Sequence, residues 1–400
     1  MIKKLKRFLP DIAGAAGGSP VEIFVILLFS VYAVLMVEGV ADGDRGYLAL
    51  YPLSLSLSLL FNLWFRGKRL RFIYFLSALL PLSMAGCDLS GFVDSVAYPV
   101  SLMLCILMIF ASKWRRDNIR YVKEGLFYVK NCVSALIIAG MTFGLTVAIY
   151  FSVRYIFPVQ GLSDAESAGN MANAVLYFLI FSFMMLCPLL FLIFNRSEKG
   201  AWSSGRLDEI AVNYVVTPAL LLYTCILYIY FAKILFTWSL PKGGIAYMVF
   251  AFTIIAILSQ ALRLTLKGKG TFEWFYGNFC VISLPALAMF WIGVWYRIAE
   301  YGFTQARVYL VVCGTIMTVT VLLSLSRRFG KYVYANLLAI ILFALFTYVP
   351  GISAEDIERR SQMNRSLSAD NGAVLAEEET VVTDAPWLYI VPKGEAVDLE

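Results

Sequence analysis

The sequence predicts an all-α fold: a polytopic helical membrane protein of about eleven transmembrane helices, with the N-terminus in and the C-terminus out. Three observations predict it. Hydrophobic residues make up 60% of the 400, with a mean hydropathy of +0.76, where soluble domains run at roughly 45–50% apolar. The excess is gathered in blocks of roughly 17–25 residues, the length that crosses ~30 Å of hydrocarbon as a helix. Lys and Arg are dense in every second connecting segment, as the positive-inside rule requires.

In chain order, residues 1–20 form a basic N-terminus with Lys3, Lys4, Lys6 and Arg7. Pro10 and Asp11 interrupt the pattern a cleaved signal would need, so none is expected. Ser19-Pro20-Val21-Glu22 has the form of a capping box with Pro at the first helical position, which makes Glu22 a helix cap. The spans follow at 21–37, 47–65, 70–86, 94–112, 132–153, 171–194, 212–238, 245–265, 278–296, 308–325 and 332–350. Segments expected on the cytoplasmic side carry 23 of the 33 Lys and Arg; the opposite segments, tail included, carry nine, and Lys233 lies within a span. The alternation holds at every loop, so it supports both the orientation and the count of eleven.

Leu53-Ser54-Leu55-Ser56-Leu57-Ser58 imitates a strand but lies inside a longer apolar run. It reads as helix, its hydroxyls bonding back to the preceding turn. Gly140, Gly144 and Ala148 give the fifth span a small-residue stripe suited to close helix packing. Trp64, Trp114, Tyr155, Trp238, Trp295, Tyr296 and Tyr348 stand near span ends, where interfacial anchoring places aromatics. From 351 to 400 the chain becomes an acidic extracytoplasmic tail, with a strand or two expected in 380–392. The domains are therefore 1–20, 21–350 and 351–400.

The absence of histidine excludes a Ser-His-Asp triad, imidazole relays and His-ligated metals. The seven cysteines are scattered without a C-x-x-C pair, so no metal site or disulfide framework is expected and no cofactor is implied. Lys113, Arg115, Arg116, Arg120, Lys123 and Lys130, with Trp114, Tyr121 and Tyr128, form a basic aromatic loop. Attraction to anionic headgroups accounts for it, so membrane lipids are the expected partners and nucleic acid is not.

A pattern in spans seven to ten carries a family resemblance. It consists of Pro218, then Tyr223 through Ile234 (YTCILYIYFAKI), then Leu240-Pro241-Lys242-Gly243-Gly244, then Arg297 through Arg307 (RIAEYGFTQAR), with Ser361-Gln362 after the last span. Over about 210–365 this resembles an uncharacterised family of bacterial multi-pass membrane proteins, the domain of unknown function DUF4153. The resemblance implies a helical inner-membrane protein, and in many members a longer soluble C-terminal part. It implies no chemistry.

Lys233 is the one clearly intramembrane charge, about six residues or roughly 9 Å short of the outer end of its span. It is either a functional cation or a snorkelling one. Tyr230, three residues earlier, is spaced to pack beside it. Arg297 ends span nine and Arg307 begins span ten, with Glu300 and Tyr301 between them. Gly302 permits a tight turn, Thr304 offers a hydroxyl cap, and Pro241 and Gly243 make a second turn on the same face. One reading is a well-made hairpin whose arginines anchor at headgroups. The other is an outer site where Lys233, Arg297 and Arg307 meet an anion such as a lipid phosphate or a carboxylate.

Three function classes follow. The first is a non-enzymatic envelope scaffold or signalling component that offers this outer face to a protein partner. The second is a transporter of a small or lipid-like solute through a polar cavity with Gln260, Thr142, Thr146, Thr315 and Thr318. The third is an intramembrane lipid-linked transferase using Asp88, Asp94 or Glu300 as base, for which no catalytic dyad is legible.

Overall fold

A chain in hydrocarbon must satisfy its backbone hydrogen bonds internally, and a helix does so within one segment. In the computed structural model of the chain, the described residues are 17–40, 45–65, 69–84, 89–112, 117–156, 164–197, 211–237, 245–266, 272–325 and 331–367, with 14, 67 and 87 singly. They contain helices and no strand. The strand expected in 380–392 lies outside them.

The helices are α1 (Pro20–Val37), α2 (Arg45–Phe65), α3 (Arg71–Leu76), α4 (Leu79–Ser83), α5 (Ser90–Val93), α6 (Ala97–Ala111), α7 (Asn118–Ile156), α8 (Asp164–Leu179) and α9 (Cys187–Ser197). Then come α10 (Thr217–Thr237), α11 (Ile245–Arg263), α12 (Glu273–Gly277), α13 (Phe279–Tyr301), α14 (Gln305–Ser324), α15 (Tyr332–Tyr348) and α16 (354–367). Seven of the described helices are long and apolar enough to cross a membrane, and α6, α15 and 248–263 of α11 are shorter apolar helices. Their outward faces are hydrocarbon: Ile137, Met141, Leu145 and Ile149 on α7 and Leu222, Ile226 and Ile229 on α10 are all exposed. In water such surface would be a liability, whereas in lipid it is the solvated face. The chain is a helical membrane protein.

Two sub-bundles share one seam. In the first, α1 packs on α2, and Phe29 stacks on Tyr47 with ring centres 5.2 Å apart. In the second, α10, α11, α13 and α14 enclose Phe252, Phe275, Phe279 and Phe290. The last span, α15, joins them by packing on both α6 and α14. Its Asn336 side-chain amide donates to the Leu107 carbonyl (3.0 Å) and the Tyr121 hydroxyl (2.6 Å). Glu22, in the first turn of α1, marks one end of the bundle, and Gly302, between α13 and α14, marks the other.

Several expectations are met locally. Ser56 and Ser58 lie in α2 and donate back to the Leu53 and Leu55 carbonyls at 3.0 and 2.9 Å. Trp295, Tyr296 and Tyr348 are exposed near helix ends.

Others are corrected. The third span is no continuous helix: α3 and α4 are separated at Ser77-Ala78. Pro81 causes the break, because it has no N–H for the Ser77 carbonyl and its ring crowds that carbonyl. The broken segment still runs between the ends of the bundle, with Tyr74 beside Glu22 and the Pro81 carbonyl accepting from Tyr47 at the start of α2. Residues 118–131, expected as a loop, are the first turns of the 39-residue α7. Tyr121 and Tyr128 are buried there, not displayed. Among the described residues, nothing lies within 4 Å of where a Cβ on Gly140 or Gly144 would stand, so these two glycines make no close packing there. Close approach occurs instead at Gly314 on α14, where a Cβ would collide with the Phe290 ring.

Two π-helical turns, Ile180–Leu186 and Ala211–Val216, each end just before an X-Pro step, Cys187-Pro188 and Thr217-Pro218. Proline withholds the i→i−4 donor, and widening the preceding turn is one way for a helix to absorb the loss.

Candidate functional site

At the Gly302 end, α13 and α14 are joined by three residues. Gly302 has φ 72° and ψ −175°, a region essentially reserved for glycine. Its N–H closes α13 on the Ile298 carbonyl at 2.8 Å. Thr304 takes the N-cap position of α14 with extended backbone, and its carbonyl accepts from the Arg307 and Val308 N–H groups. Its hydroxyl makes no cap bond, so the expected side-chain cap is corrected to a backbone one.

Arg307 turns back over this hairpin. It donates to the Gly302 carbonyl at 2.7 Å and lies over the Tyr301 ring, 5.2 Å from its centre. Glu300 and Tyr301 are the last two residues of α13, beside that arginine. Glu300, Tyr301, Gly302 and Arg307 thus form one cluster, in which the arginine holds the turn.

Sequence reasoning missed what covers the hairpin. After the last span, Gly351 (φ 87°) turns the chain into α16. Ser353 and Asp356 build a reciprocal cap there. The Asp356 N–H donates to Ser353 Oγ at 3.1 Å, while Ser353 Oγ and the Gly351 N–H both donate to Asp356 Oδ2 at 2.7 Å. These bonds hold the Asp356 pKa below the ordinary carboxylate value. The helix then docks on the hairpin. Phe303 N–H donates to Ser361 Oγ at 3.0 Å, Gln362 donates to the Phe303 carbonyl at 3.0 Å, and Arg365 donates to the Glu300 carbonyl at 2.8 Å. A Cβ on Gly302 would sit 3.0 Å from both Ser361 Oγ and Arg365 Cδ. The Ser361-Gln362 pair and the Arg297–Arg307 stretch, distant in sequence, are therefore one structural unit.

The other expected site residues are placed as follows. Tyr230 packs against the core of the second sub-bundle. Lys233 is exposed on α10 and Arg297 is half-buried on α13. Phe231 on α10 and Met289 on α13, which precede Lys233 and Arg297 in their helices, line one crevice. Pro241 and Gly243 lie outside the described residues, as do Asp88, Lys113, Trp114, Arg115 and Arg116. Of the residues expected in a polar cavity, the hydroxyls of Thr142, Thr146, Thr315 and Thr318 bond to carbonyls of their own helices. Gln260 lines a separate cavity of about 190 Å³ with Asn118, Lys331 and Tyr332.

A second site lies at the opposite end, and here Glu22 overturns its sequence reading. Ser19 is the N-cap of α1 but makes no side-chain cap bond. Glu22 is 0 % exposed. Its Oε1 accepts from Asn62 at 2.7 Å and its Oε2 from the Tyr74 hydroxyl at 2.6 Å. Tyr74 also accepts from the Val21 N–H at 3.0 Å, so a tyrosine from the broken third segment satisfies a donor of the first turn of α1. Asn62 donates further to the Gly18 carbonyl and to Ser19 Oγ. A buried carboxylate persists only with such partners. Asn62 and Tyr74 are 40 and 52 residues away, out of reach of a local motif. Span alternation was the signal that could have found them, since it puts all three residues at one end of the bundle. Among the described residues, no group of acidic and cysteine side chains is disposed to hold a metal ion.

Comparison with known proteins gives one family and one relative. The family described as "Domain of unknown function (DUF4153)" matches residues 23–377. An uncharacterized protein of Pasteurella multocida is 29% identical over 331 residues, covering 74% of this chain and 55% of its own length. The match thus spans about half of that relative. No solved structure matches.

Proposed function

The chain belongs to the DUF4153 family, and from that premise we propose that it is a non-enzymatic component of the bacterial inner membrane that offers a fixed platform to a protein partner. The Gly302 end faces away from the cytoplasm in this reading, as the Lys and Arg distribution requires. The observation that carries the proposal is the clamp of α16 on the 297–307 hairpin. Three side-chain-to-backbone hydrogen bonds fix a short amphipathic helix to the end of the bundle. Arg359 and Glu355 on this helix are each 68% exposed and ion-paired to the other at 3.1 Å. Such an element serves presentation better than passage or chemistry.

On the membrane side of this platform, Lys233 and Arg297 are the cations for an anionic headgroup or carboxylate. Both follow, in their helices, residues that line one crevice between α10 and α13, and a long basic side chain suits a phosphate or carboxylate. Arg307, Glu300 and Tyr301 keep the hairpin in shape for that contact.

The test is photocrosslinking from position 359 of the full chain in native membranes. A discrete adduct with one protein, lost in both Ser361→Ala and Arg365→Ala, supports the platform. Adducts indifferent to those changes, or a substrate-dependent flux by the purified chain in proteoliposomes, overturn it. Phospholipid retained by purified protein and lost in Lys233→Ala supports the cation site.

A further inference from the structure

A cavity of about 420 Å³ opens inside the first sub-bundle, walled by α1, α2, α6, α7 and α9. Its position follows from how the helices pair. α6 leans on α2 and α15, while α7 leans on α9. The space between α6 and α7 is left over, and Pro52 and Pro188 mark its far end, where their helices cannot be regular. From Leu59 to Pro52 it extends about 10 Å along α2, toward the middle of the membrane. At the Glu22 end it is closed by the carboxylate held by Asn62 and Tyr74.

Water does not fill such a space. A water molecule needs two to four polar partners, and the exposed wall is almost wholly hydrocarbon, the polar side chains among its lining being Glu22, Ser56, Tyr128 and Cys132. The mouth faces lipid. Ile106 on α6 and Val129 and Val133 on α7 line the cavity and yet are 47–48% exposed. Lys130 lies exposed on α7 beside that mouth, one residue from Val129 and three from Val133. In the proposed orientation it stands at the cytoplasmic headgroup level, where a lysine attracts phosphate. The volume admits roughly a dozen methylenes, at the ~30 Å³ that a water-sized group occupies.

We propose that this cavity is a binding site for one acyl chain of an anionic phospholipid, drawn laterally from the leaflet at the Glu22 end, with its phosphate at Lys130. Apolar lining, a mouth between two lipid-facing helices, a polar closed end and a cation at headgroup level together describe that occupant. The site lies at the other end of the molecule from the α16 platform and does not rest on that reading.

The test uses the full chain in nanodiscs containing phosphatidylglycerol with a diazirine in the acyl chain, with crosslinks mapped by mass spectrometry. Adducts on 106–110 and 129–133 are expected at several times the density on Leu145 and Ile149, which face bulk lipid on the same α7. Val133→Trp and Ile106→Phe, which fill the space from opposite walls, are expected to abolish that enrichment while the Leu145 adducts persist. Lys130→Ala is expected to lower the enrichment for phosphatidylglycerol severalfold, and that for phosphatidylcholine much less. Uniform labelling along α7, meaning annular lipid only, overturns the proposal. So does enrichment that survives both filling variants when each runs as a monodisperse peak with near-parental melting.

Discussion

The hydroxyl of Tyr51 on α2 donates to the carbonyl of Met184 at 2.5 Å, inside the π-helical turn that precedes Pro188. In lipid no water can replace that donor. Tyr51→Phe is therefore expected to destabilise the purified protein by about 1–3 kcal/mol, the cost of an unsatisfied buried acceptor. Pro188→Ala gives the turn after the π-helical segment an N–H to share, so Tyr51→Phe should cost less in its presence. Detergent melting curves for the two single variants and the double variant check the coupling.

Gly314 lies where the Phe290 ring crosses α14, and a Cβ there collides with the ring. Phe290 is fully buried, so it has little room to yield. Gly314→Ala should lower stability by about 1–3 kcal/mol through overpacking. Phe290→Leu, combined with it, should recover part of the loss. Gly144→Ala, with nothing within 4 Å, should be silent in the same assay.

The backbone of Gly302 and the packing of α16 above it make a linked prediction. Gly302→Ala forces a non-glycine residue into φ 72°, ψ −175°, at about 1–3 kcal/mol, and pushes against Ser361 and Arg365. The expected outcome is release of α16, read as faster proteolysis within 354–367 while the membrane bundle stays intact. Unchanged protection would show that the helix is held otherwise.

Asp356 gives that docking an acid limit. Its pKa is depressed by the hydrogen bonds from Ser353 and Gly351, so the folded form favours the carboxylate. A depressed pKa stabilises fully above the ordinary value of 3.8 and is lost as the pH falls below it. Hydrogen-exchange protection at 351–367, taken relative to the intrinsic exchange rate at each pH, should therefore be flat from about pH 5 to 8 and fall only in stronger acid. Asp356→Asn should exchange faster at neutral pH and lose the acid dependence.

For orientation, reporter fusions after Lys199 and after Gly351 are expected on opposite sides, the first cytoplasmic. The Lys and Arg distribution requires this whether or not the broken α3–α4 segment counts as a crossing. Same-side results would overturn the topology.

Much of this architecture is legible along the chain because the bilayer sets a length scale. Apolar runs of a span's length, separated by alternating basic segments, locate helices without any knowledge of their neighbours. The same reasoning placed the 297–307 hairpin between two spans and marked Gly302 as its turn. It failed where a single residue outweighs a hydropathy average. Pro81 breaks the third span, and Pro188 and Pro218 widen turns, although the hydropathy around them is unremarkable. It also misplaced the reciprocal cap. Ser19 and Glu22 have the motif, but Ser19 makes no side-chain cap bond and the Glu22 carboxylate accepts from Asn62 and Tyr74. Ser353 and Asp356 form the bonds with a less conspicuous motif.

By itself, then, the sequence determined that the chain is a bundle of apolar helices, where most of them lie and which residues can turn between them, because these follow from local composition and from the cost of unpaired backbone in hydrocarbon. Only the tertiary structure decided that α16 clamps the 297–307 hairpin, that Glu22 is buried between Asn62 and Tyr74, and that a cavity remains between α6 and α7. Those depend on which side chains meet across tens to hundreds of residues. Hydropathy carries no such information, since every lipid-facing and core-facing stripe of these helices is apolar alike.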